Sequence, residues 1–520
     1  MLVEDGTFYY TPGDLRAFAM CQFSALQRAD EVLGRGAAMS DPDLLGQRMG
    51  EVGLTHQQRV LDSYLEKYGD RERTPTGSMA VLSGTADPTG RAAAAAIRML
   101  SQDLQVLAQM PVSAGPLYGA ADLVVRVGER WQLTEIRLGL RLKDVYLLQI
   151  GAIALALLSR GVPLEAEAVL ITGNDSRIDV PLPEAMDRAR SEMTRLDTAL
   201  AARLVAPGKV SWGDDSISAC GWCMACQDAM TTTRDVRLTA GVRMPDRALL
   251  RAGGVVTIDD LAAASHPVDG LDRTRFETIR AQARLQVRQM PPGTEHDPAL
   301  QLPPVHEVYD EAPLRAMPNP DPGDIFFDME SDPMWAADDD EHRGLHYLFG
   351  MWLPDTPQPY VAFWAHDRAA ERQALLDFVE FVTEQRRVHP DLHVYHYGSY
   401  ETIVLTELAK RHDTAIDLVA EWIDSDLFID LLPVVKGSIR TSQSGYGLKK
   451  IEPLYMTEQP RTGTVLDGAA SVLSYQRYAE LRANGHYGEA GAVLDTLAGY
   501  NEFDCLSTMR LRDWLRSLLN

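Results

Sequence analysis

Cysteine is sparse in this 520-residue chain, and four of the five fall into a pattern with chemical meaning: Cys21 stands alone, while Cys220, Cys223 and Cys226 crowd into Cys-Gly-Trp-Cys-Met-Ala-Cys. Zinc sites usually draw ligands from two separate two-cysteine knuckles, whereas a Cys-x-x-Cys-x-x-Cys run plus one remote cysteine is how a chain wraps a cubane 4Fe-4S cluster. The remote thiolate would close a long loop, whose entropy cost grows only slowly with length, so the cluster is expected to act as a staple. Cys505 lies outside the set and reads as a packed helix residue. A second set of residues is acidic. Asp328 and Glu330 stand two apart in Asp-Ile-Phe-Phe-Asp-Met-Glu, so on a strand both carboxylates project from one face. Tyr500 and Asp504 are four apart in a helical pattern and share one side of it. With Glu401 as a fourth acid, such a set can hold two hard cations, Mg²⁺ or Mn²⁺. One cation would activate a water and the other would stabilise the leaving oxygen of an in-line phosphodiester displacement, with Tyr500 orienting the water.

These residues must be positioned by a mixed α/β chain of two or three domains, which is what the length predicts. Asp122-Leu-Val-Val-Arg-Val and Trp131-Gln-Leu-Thr-Glu-Ile-Arg-Leu read as neighbouring strands, followed by an apolar-striped helix from about Lys143 to Ser159. Leu238 to Gln289 reads as helices, broken at Gly241, Gly253 and Gly254, with Asp259 and Asp260 near a helix start. Nine prolines accumulate between Pro291 and Gly323, ending in a Met-Pro-Asn-Pro-Asp-Pro-Gly run that neither a helix nor a central strand accommodates. The expected division is therefore 1–237, a helical connector 238–290, a proline-rich linker 291–323, and a second α/β region 324–520.

Net charge is -24, which at first argues against a nucleic-acid partner. The imbalance is mostly C-terminal: residues 1–300 hold 38 acidic and 32 basic side chains, and residues 301–520 hold 36 and 18. Metals bound by that acidity would locally reverse the field a phosphate feels. The few cysteines, the acidic start at Glu4 and Asp5 and the absence of a leader point to the cytoplasm. The longest apolar run, Ile150 to Leu158, is far short of the roughly 20 residues of a membrane span. No Gly-x-x-x-x-Gly-Lys-Ser/Thr loop is present, so a built-in ATP motor is not expected. His393 and His396 read as structural or surface histidines. Lys449 and Lys450 read as a solvated turn, with phosphate contact the sharper alternative.

Asp328-x-Glu330 followed far downstream by Tyr500-x-x-x-Asp504 resembles the tyrosine-type DEDD exonucleases of the RNase H-like superfamily. The strings Gly-Asp-Ile-Phe-Phe-Asp-Met-Glu-Ser-Asp-Pro, Tyr-His-Tyr-Gly-Ser-Tyr-Glu and Tyr-Asn-Glu-Phe-Asp-Cys-Leu-Ser-Thr are similar to those of RecB-family nucleases with such a C-terminal domain. That family has aspartate at its second motif, so here Glu401 serves or Asp430 replaces it. The resemblance extends upstream: His56, Asp122, Glu135 and Gln149 follow the motif order of the RecB-like PD-(D/E)xK nucleases with an iron-sulfur staple. It implies a restriction-endonuclease-like domain in which His56, Asp122 and Glu135 bind a divalent metal and the Gln149 helix supports the site. Arg137 stands where the motif lysine belongs and Ile153 where a tyrosine is usual, so cutting by this domain is in question, with Lys143 a substitute for the lysine. The implied function is a metal-dependent exonuclease acting on DNA, with RNA left open, and with a separate helicase or a longer parent chain as the source of a motor. The alternative is a non-catalytic DNA-binding or scaffold subunit of a repair or helicase complex.

Overall fold

The structure is a computed structural model, and it describes all residues except 37–43, 74–75, 83–86, 101–102, 298–299, 337–342, 355, 466 and 520. The chain forms two compact units, Met1–Ala229 and Met230–Asn520. Both are mixed α/β, as the sequence predicts.

The first unit opens with a hairpin, β1 (Leu2–Glu4) and β2 (Thr7–Tyr9), and three helices, α1 (Pro12–Met20), α2 (Gln22–Val32) and α3 (Leu44–Tyr68). Then come β3 (Met79–Val81), α4 (Arg91–Leu100), β4 (Val106–Ala114), β5 (Leu117–Val127), β6 (Arg130–Ile136), α5 (Asp144–Ser159), β7 (Glu167–Ile171), β8 (Arg177–Pro181), α6 (Leu182–Val205) and α7 (Met224–Thr232). The last six strands make one sheet in the order β3-β4-β5-β6-β7-β8. Strands β4, β5 and β6 run antiparallel, and β7 lies parallel to β6 because α5 carries the chain back between them. Helix α5 is apolar nearly all round and is buried from Tyr146 to Leu157, Gln149 and Ile153 included. It presses closely on α6: a Cβ at Gly151 would lie 2.1 Å from the Ala185 carbonyl oxygen.

The second unit begins with helices α8 (Met244–Ala252), α9 (Ile258–Ala263) and α10 (Arg273–Gln289), which share a core built on Leu250, Ile258, Phe276 and Ile279. Helix α8 ends at Gly253, and Thr257 caps α9 in a reciprocal box with Asp260, where the sequence places a break and a start. The proline-rich stretch is more ordered than a bare linker. It contains β9 (His306–Val308) and α11 (Ala312–Ala316), and the Pro318 carbonyl and Asp324 are held by Arg516 and Arg512. The elements that follow are β10 (Ile325–Asp332), β11 (Leu345–Trp352), β12 (Tyr360–Trp364), α12 (Arg368–Val388), β13 (Val394–His396), α13 (Tyr400–Arg411), α14 (Ile416–Asp424) and β14 (Phe428–Asp430). The chain then runs through α15 (Leu431–Ser438), β15 (Ile439–Thr441, paired with β9), α16 (Leu448–Ile451), α17 (Gly468–Ala483) and α18 (Tyr487–Ser517). The five-stranded sheet has the order β12-β11-β10-β13-β14, antiparallel on one side of β10 and parallel on the other.

Strand β10 sits at the centre of that sheet, and its two-residue period sorts its side chains. Ile325, Phe327 and Met329 enter a core with Leu375 and Phe378 of α12 and Leu405 and Leu408 of α13. Phe326 enters the opposite core with Leu511 and Leu515 of α18, so Asp328 and Glu330 emerge on the α18 side. Helix α18 supplies the matching stripe of Leu497, Tyr500, Asp504, Leu511 and Leu515, all buried and spaced by three, four or seven.

The α5–α6 contact gives a direct test of packing. Gly151→Ala is expected to destabilise the first unit by about 2 kcal/mol, the scale of overpacking a well-filled interface. A denaturant titration should show a lower midpoint with an unchanged slope.

Candidate active site and cysteine centre

The carboxylates of Asp328, Glu330 and Asp504 offer oxygens that all lie within 4.8 Å of one another. Each is oriented by a neighbour. Asn501 Nδ2 donates to Asp328 Oδ2 at 2.7 Å, and its own Oδ1 accepts from the Tyr360 hydroxyl at 2.8 Å. Gly350 of β11 pairs directly with Asp328, and a Cβ there would fall 1.5 Å from Asn501 Oδ1, so the amide occupies the space that glycine leaves. Ser471 of α17 donates to Glu330 Oε2 at 2.6 Å, and the Tyr347 hydroxyl lies 2.6 Å from the same serine. Arg461 pairs with Asp504 and with Glu452, and its guanidinium lies over the Phe503 ring.

Tyr500 projects beside the acids one turn before Asp504. Lys449 donates to its hydroxyl and sits over its ring, 4.6 Å from the centroid. Lys449 is thus a part-buried member of the site and not the solvated turn residue of the sequence reading. These groups line an open cavity of about 840 Å³ together with Tyr397, Tyr400, Tyr446 and Lys450.

Glu401 is buried in the first turn of α13, outside the three-carboxylate group. Its Oε2 lies 3.3 Å from His396 Nδ1 yet has no hydrogen-bond partner, and its charge reaches Asp328. Asp430 is engaged elsewhere: its Oδ1 accepts the N–H groups of Gly398 and Leu432 and caps α15. His396 is buried, with Nδ1 2.6 Å from the Gly398 carbonyl oxygen, and His393 lies 4.0 Å from Asp324, in keeping with structural roles.

The electrostatics fit a cation site. Burial, and then the charges of Asp504, Glu330 and Glu401, raise Asp328 well above the usual carboxylate range. Burial and the Asp504 charge push Glu330 up to about 7, and burial raises Asp504. Crowded acids with an unpartnered buried oxygen nearby are what a divalent cation would relieve.

In the first unit Asp122 and Glu135 also meet, on neighbouring strands one step beyond the Leu123↔Thr134 pair. Arg137 donates to both, at 2.8 Å and 2.6 Å. Burial and the Asp122 charge push Glu135 up to about 8, with Arg137 pulling it back in part. His56 is buried on α3 with its Nδ1 3.1 Å from Arg59 Nη2, and it does not join Asp122 and Glu135 in a three-ligand group among the described residues. Lys143 sits at the start of α5, where its ammonium lies 6.0 Å from the centroid of the Tyr146 ring.

Cys21, Cys220, Cys223 and Cys226 bring their sulfurs within 4.8 Å of one another, with separations of 3.6 to 3.8 Å for the pairs in contact. Cys21 lies between α1 and α2 and caps α2. The N–H groups of Ser24 and Cys220 point at the Cys21 sulfur, and those of Trp222 and Cys223 at the Cys220 sulfur. Such donors favour thiolate ligands, so the group can hold a metal ion or an iron-sulfur cluster. Cys505 is buried apart from it, as expected.

Asn501, Ser471, Arg461 and Gly350 are site residues that the sequence reading missed. Asn501 alone carried a signal, since it lies inside the Tyr500-x-x-x-Asp504 motif, three residues before Asp504.

Residues 325–516 match the model of the RNase H superfamily family RNase_H_2. The C-terminal unit therefore contains an RNase H-like domain, a class that is typically hydrolytic nuclease, and its acid cluster suits a nuclease-type function. None of the curated proteins compared matches the chain. No helix among the described residues is long and apolar enough to cross a membrane.

A pH dependence follows from Glu330. Its carboxyl holds a proton up to about 7 when folded, against an ordinary 4.5, so between those values the folded chain carries more protons than the unfolded one. Stability of the metal-free chain should therefore fall as pH rises through that window. Mn²⁺ bound by the ionised, folded acids would stabilise the chain more, in thermal melts, at about pH 8 than at about pH 5.5. Glu330→Gln should raise the metal-free melting temperature at the higher pH and shrink the Mn²⁺ effect.

Proposed function

We propose that this chain is a metal-dependent nuclease that hydrolyses phosphodiester bonds of DNA from strand ends, with its hydrolytic centre at Asp328, Glu330, Asp504 and Glu401. The observation that carries this reading is the meeting of three carboxylates with the Tyr500 hydroxyl in one open cavity. Two cations, Mg²⁺ or Mn²⁺, held by these acids would supply activation of a water and neutralisation of charge at the leaving oxygen. Asn501 and Ser471 fix one oxygen each of Asp328 and Glu330, and both acids line the cavity. Tyr500 orients the attacking water, and Lys449 holds the tyrosine hydroxyl in place while adding positive charge beside the phosphate. Lys450, on the same wall, offers a second contact to the strand.

We assign the first unit to the PD-(D/E)xK class as the part that engages the strand. Support comes from its element order, a helix, three antiparallel strands, a buried helix and a parallel strand, with Asp122 and Glu135 side by side on two of those strands. The four cysteines are assigned to an iron-sulfur staple on the strength of their three-plus-one arrangement. Their spacing of 3.6 to 3.8 Å is that of one tetrahedral ion with metal–sulfur bonds of about 2.3 Å, and a cubane would hold the four sulfurs further apart, so composition decides between them.

Two measurements test this. Purified chain with Mn²⁺ should shorten end-labelled DNA, Asp504→Ala should abolish the shortening, and Glu135→Ala should leave it; equal digestion by wild type and Asp504→Ala would remove the assignment. Anaerobically purified protein should contain about four irons and four sulfides per chain, and stoichiometric zinc in their place would rule out the cluster.

A further inference from the structure

We propose that Arg137 is a resident cation that takes the place of a divalent ion between Asp122 and Glu135, so that the first unit engages its ligand without a catalytic metal. Every oxygen of the two carboxylates is already used within the chain. Asp122 Oδ1 accepts from Gln57 Nε2 at 2.5 Å. Asp122 Oδ2 accepts from the Ile136 N–H and from Arg137 Nη1, both at 2.8 Å. Glu135 Oε1 accepts from the Asp122 N–H at 3.1 Å, and Oε2 from Arg137 Nη2 at 2.6 Å. A hard cation needs several of these oxygens at roughly 2.0–2.6 Å, which means displacing the guanidinium first.

That displacement is opposed by the chemistry of arginine. The guanidinium stays charged at any ordinary pH, and its planar fork matches two carboxylate oxygens at once. It is also held by the main chain, because Nη1 donates to the Ile136 carbonyl as well. Glu135 is 1% exposed and Arg137 22% exposed, so moving the guanidinium out would leave a carboxylate charge without a counterion in a water-poor place. A lysine at the same position is a single point charge on a flexible stem and can neutralise the pair without occupying one oxygen of each.

The C-terminal site shows the opposite arrangement. Among the described residues arginine touches that cluster at Asp504 alone, through Arg461, which Asp504 shares with Glu452. Asp328 and Glu330 carry one neutral donor each, from Asn501 and Ser471. One chain thus holds a carboxylate pair closed by its own cation and a carboxylate set left open for another.

The test counts Mn²⁺ by the loss of the free-ion electron paramagnetic resonance signal, in the full chain carrying Glu330→Gln and Asp504→Asn to deplete the C-terminal site. With Arg137 present, no uptake dependent on Glu135 is expected below the millimolar range. Arg137→Lys in the same background should gain a single ion, lost again on Glu135→Gln. Uptake by the Arg137 chain that disappears with Glu135→Gln overturns the proposal, and that arm needs no change at Arg137. A folded Arg137→Lys and a folded Arg137→Ala, with unchanged far-ultraviolet spectra and cysteine-bound metal, overturn it if neither takes up Mn²⁺. The count does not depend on nuclease activity, so failure of the functional assignment and failure of this proposal are separate results.

Discussion

Mutual repulsion among Asp328, Glu330 and Asp504 is the constraint around which the second unit is arranged. Taking carboxylates out of water costs stability unless a counter-charge compensates them, and here Glu330 and Asp504 are buried and Asp328 half-buried, all within reach of one another. The fold holds them there with apolar packing on both sides of one strand. The alternate residues of β10 are committed to a core under α12 and α13, and Phe326 to a core with α18. A slip of one residue along β10 would bury the acids beneath α12 and expose Phe327, so the register that stabilises the sheet is also the register that assembles the site.

The neighbours of these acids are nearly all neutral. A serine, an asparagine and the small gap left by Gly350 fix where the carboxylates point without cancelling their charge. The positive groups are Lys449 on Tyr500 and Arg461 on one oxygen of Asp504. In the first unit a comparable pair is cancelled from within by Arg137. What distinguishes the two sites is therefore the placement of one guanidinium relative to the oxygens, more than the number of acids. Net charge along the sequence could not reveal this, since both regions are acidic on balance.

The strand Asp-x-Glu and the helical Tyr-x-x-x-Asp were legible because their periods fix which side chains share a face, whatever lies around them. The same holds for α5 and for the helix start at Asp259 and Asp260. Contacts made by residues distant in sequence were not legible. Ser471 reaches Glu330 from α17, Arg461 reaches Asp504 from a loop, and Gly350 makes room for Asn501 from β11. None belongs to a periodic pattern, and each is defined only once β10, β11, α17 and α18 have come together. Lys449 misled for the same reason, because two lysines after Gly-Tyr-Gly-Leu have every local mark of a solvated turn. Arg137 was visible as a departure from a motif, but its closure of both carboxylates depended on the strand pairing that sets Asp122 beside Glu135.

The cysteine group addresses a different problem, the anchoring of the chain's first helices. Cys21 lies where α1 ends and α2 begins, and its sulfur already serves as the cap of α2. Towards the other end of α2 an Asp30–Arg203 pair holds it to α6, and the Asp30 carboxylate also takes the Val210 N–H. A bound metal or cluster would add a second tie, closing a loop from Cys21 to the 220s segment whose entropy the unfolded chain would lose. The sulfurs are part-buried and braced by backbone N–H groups, with Trp222 and Met224 exposed beside them.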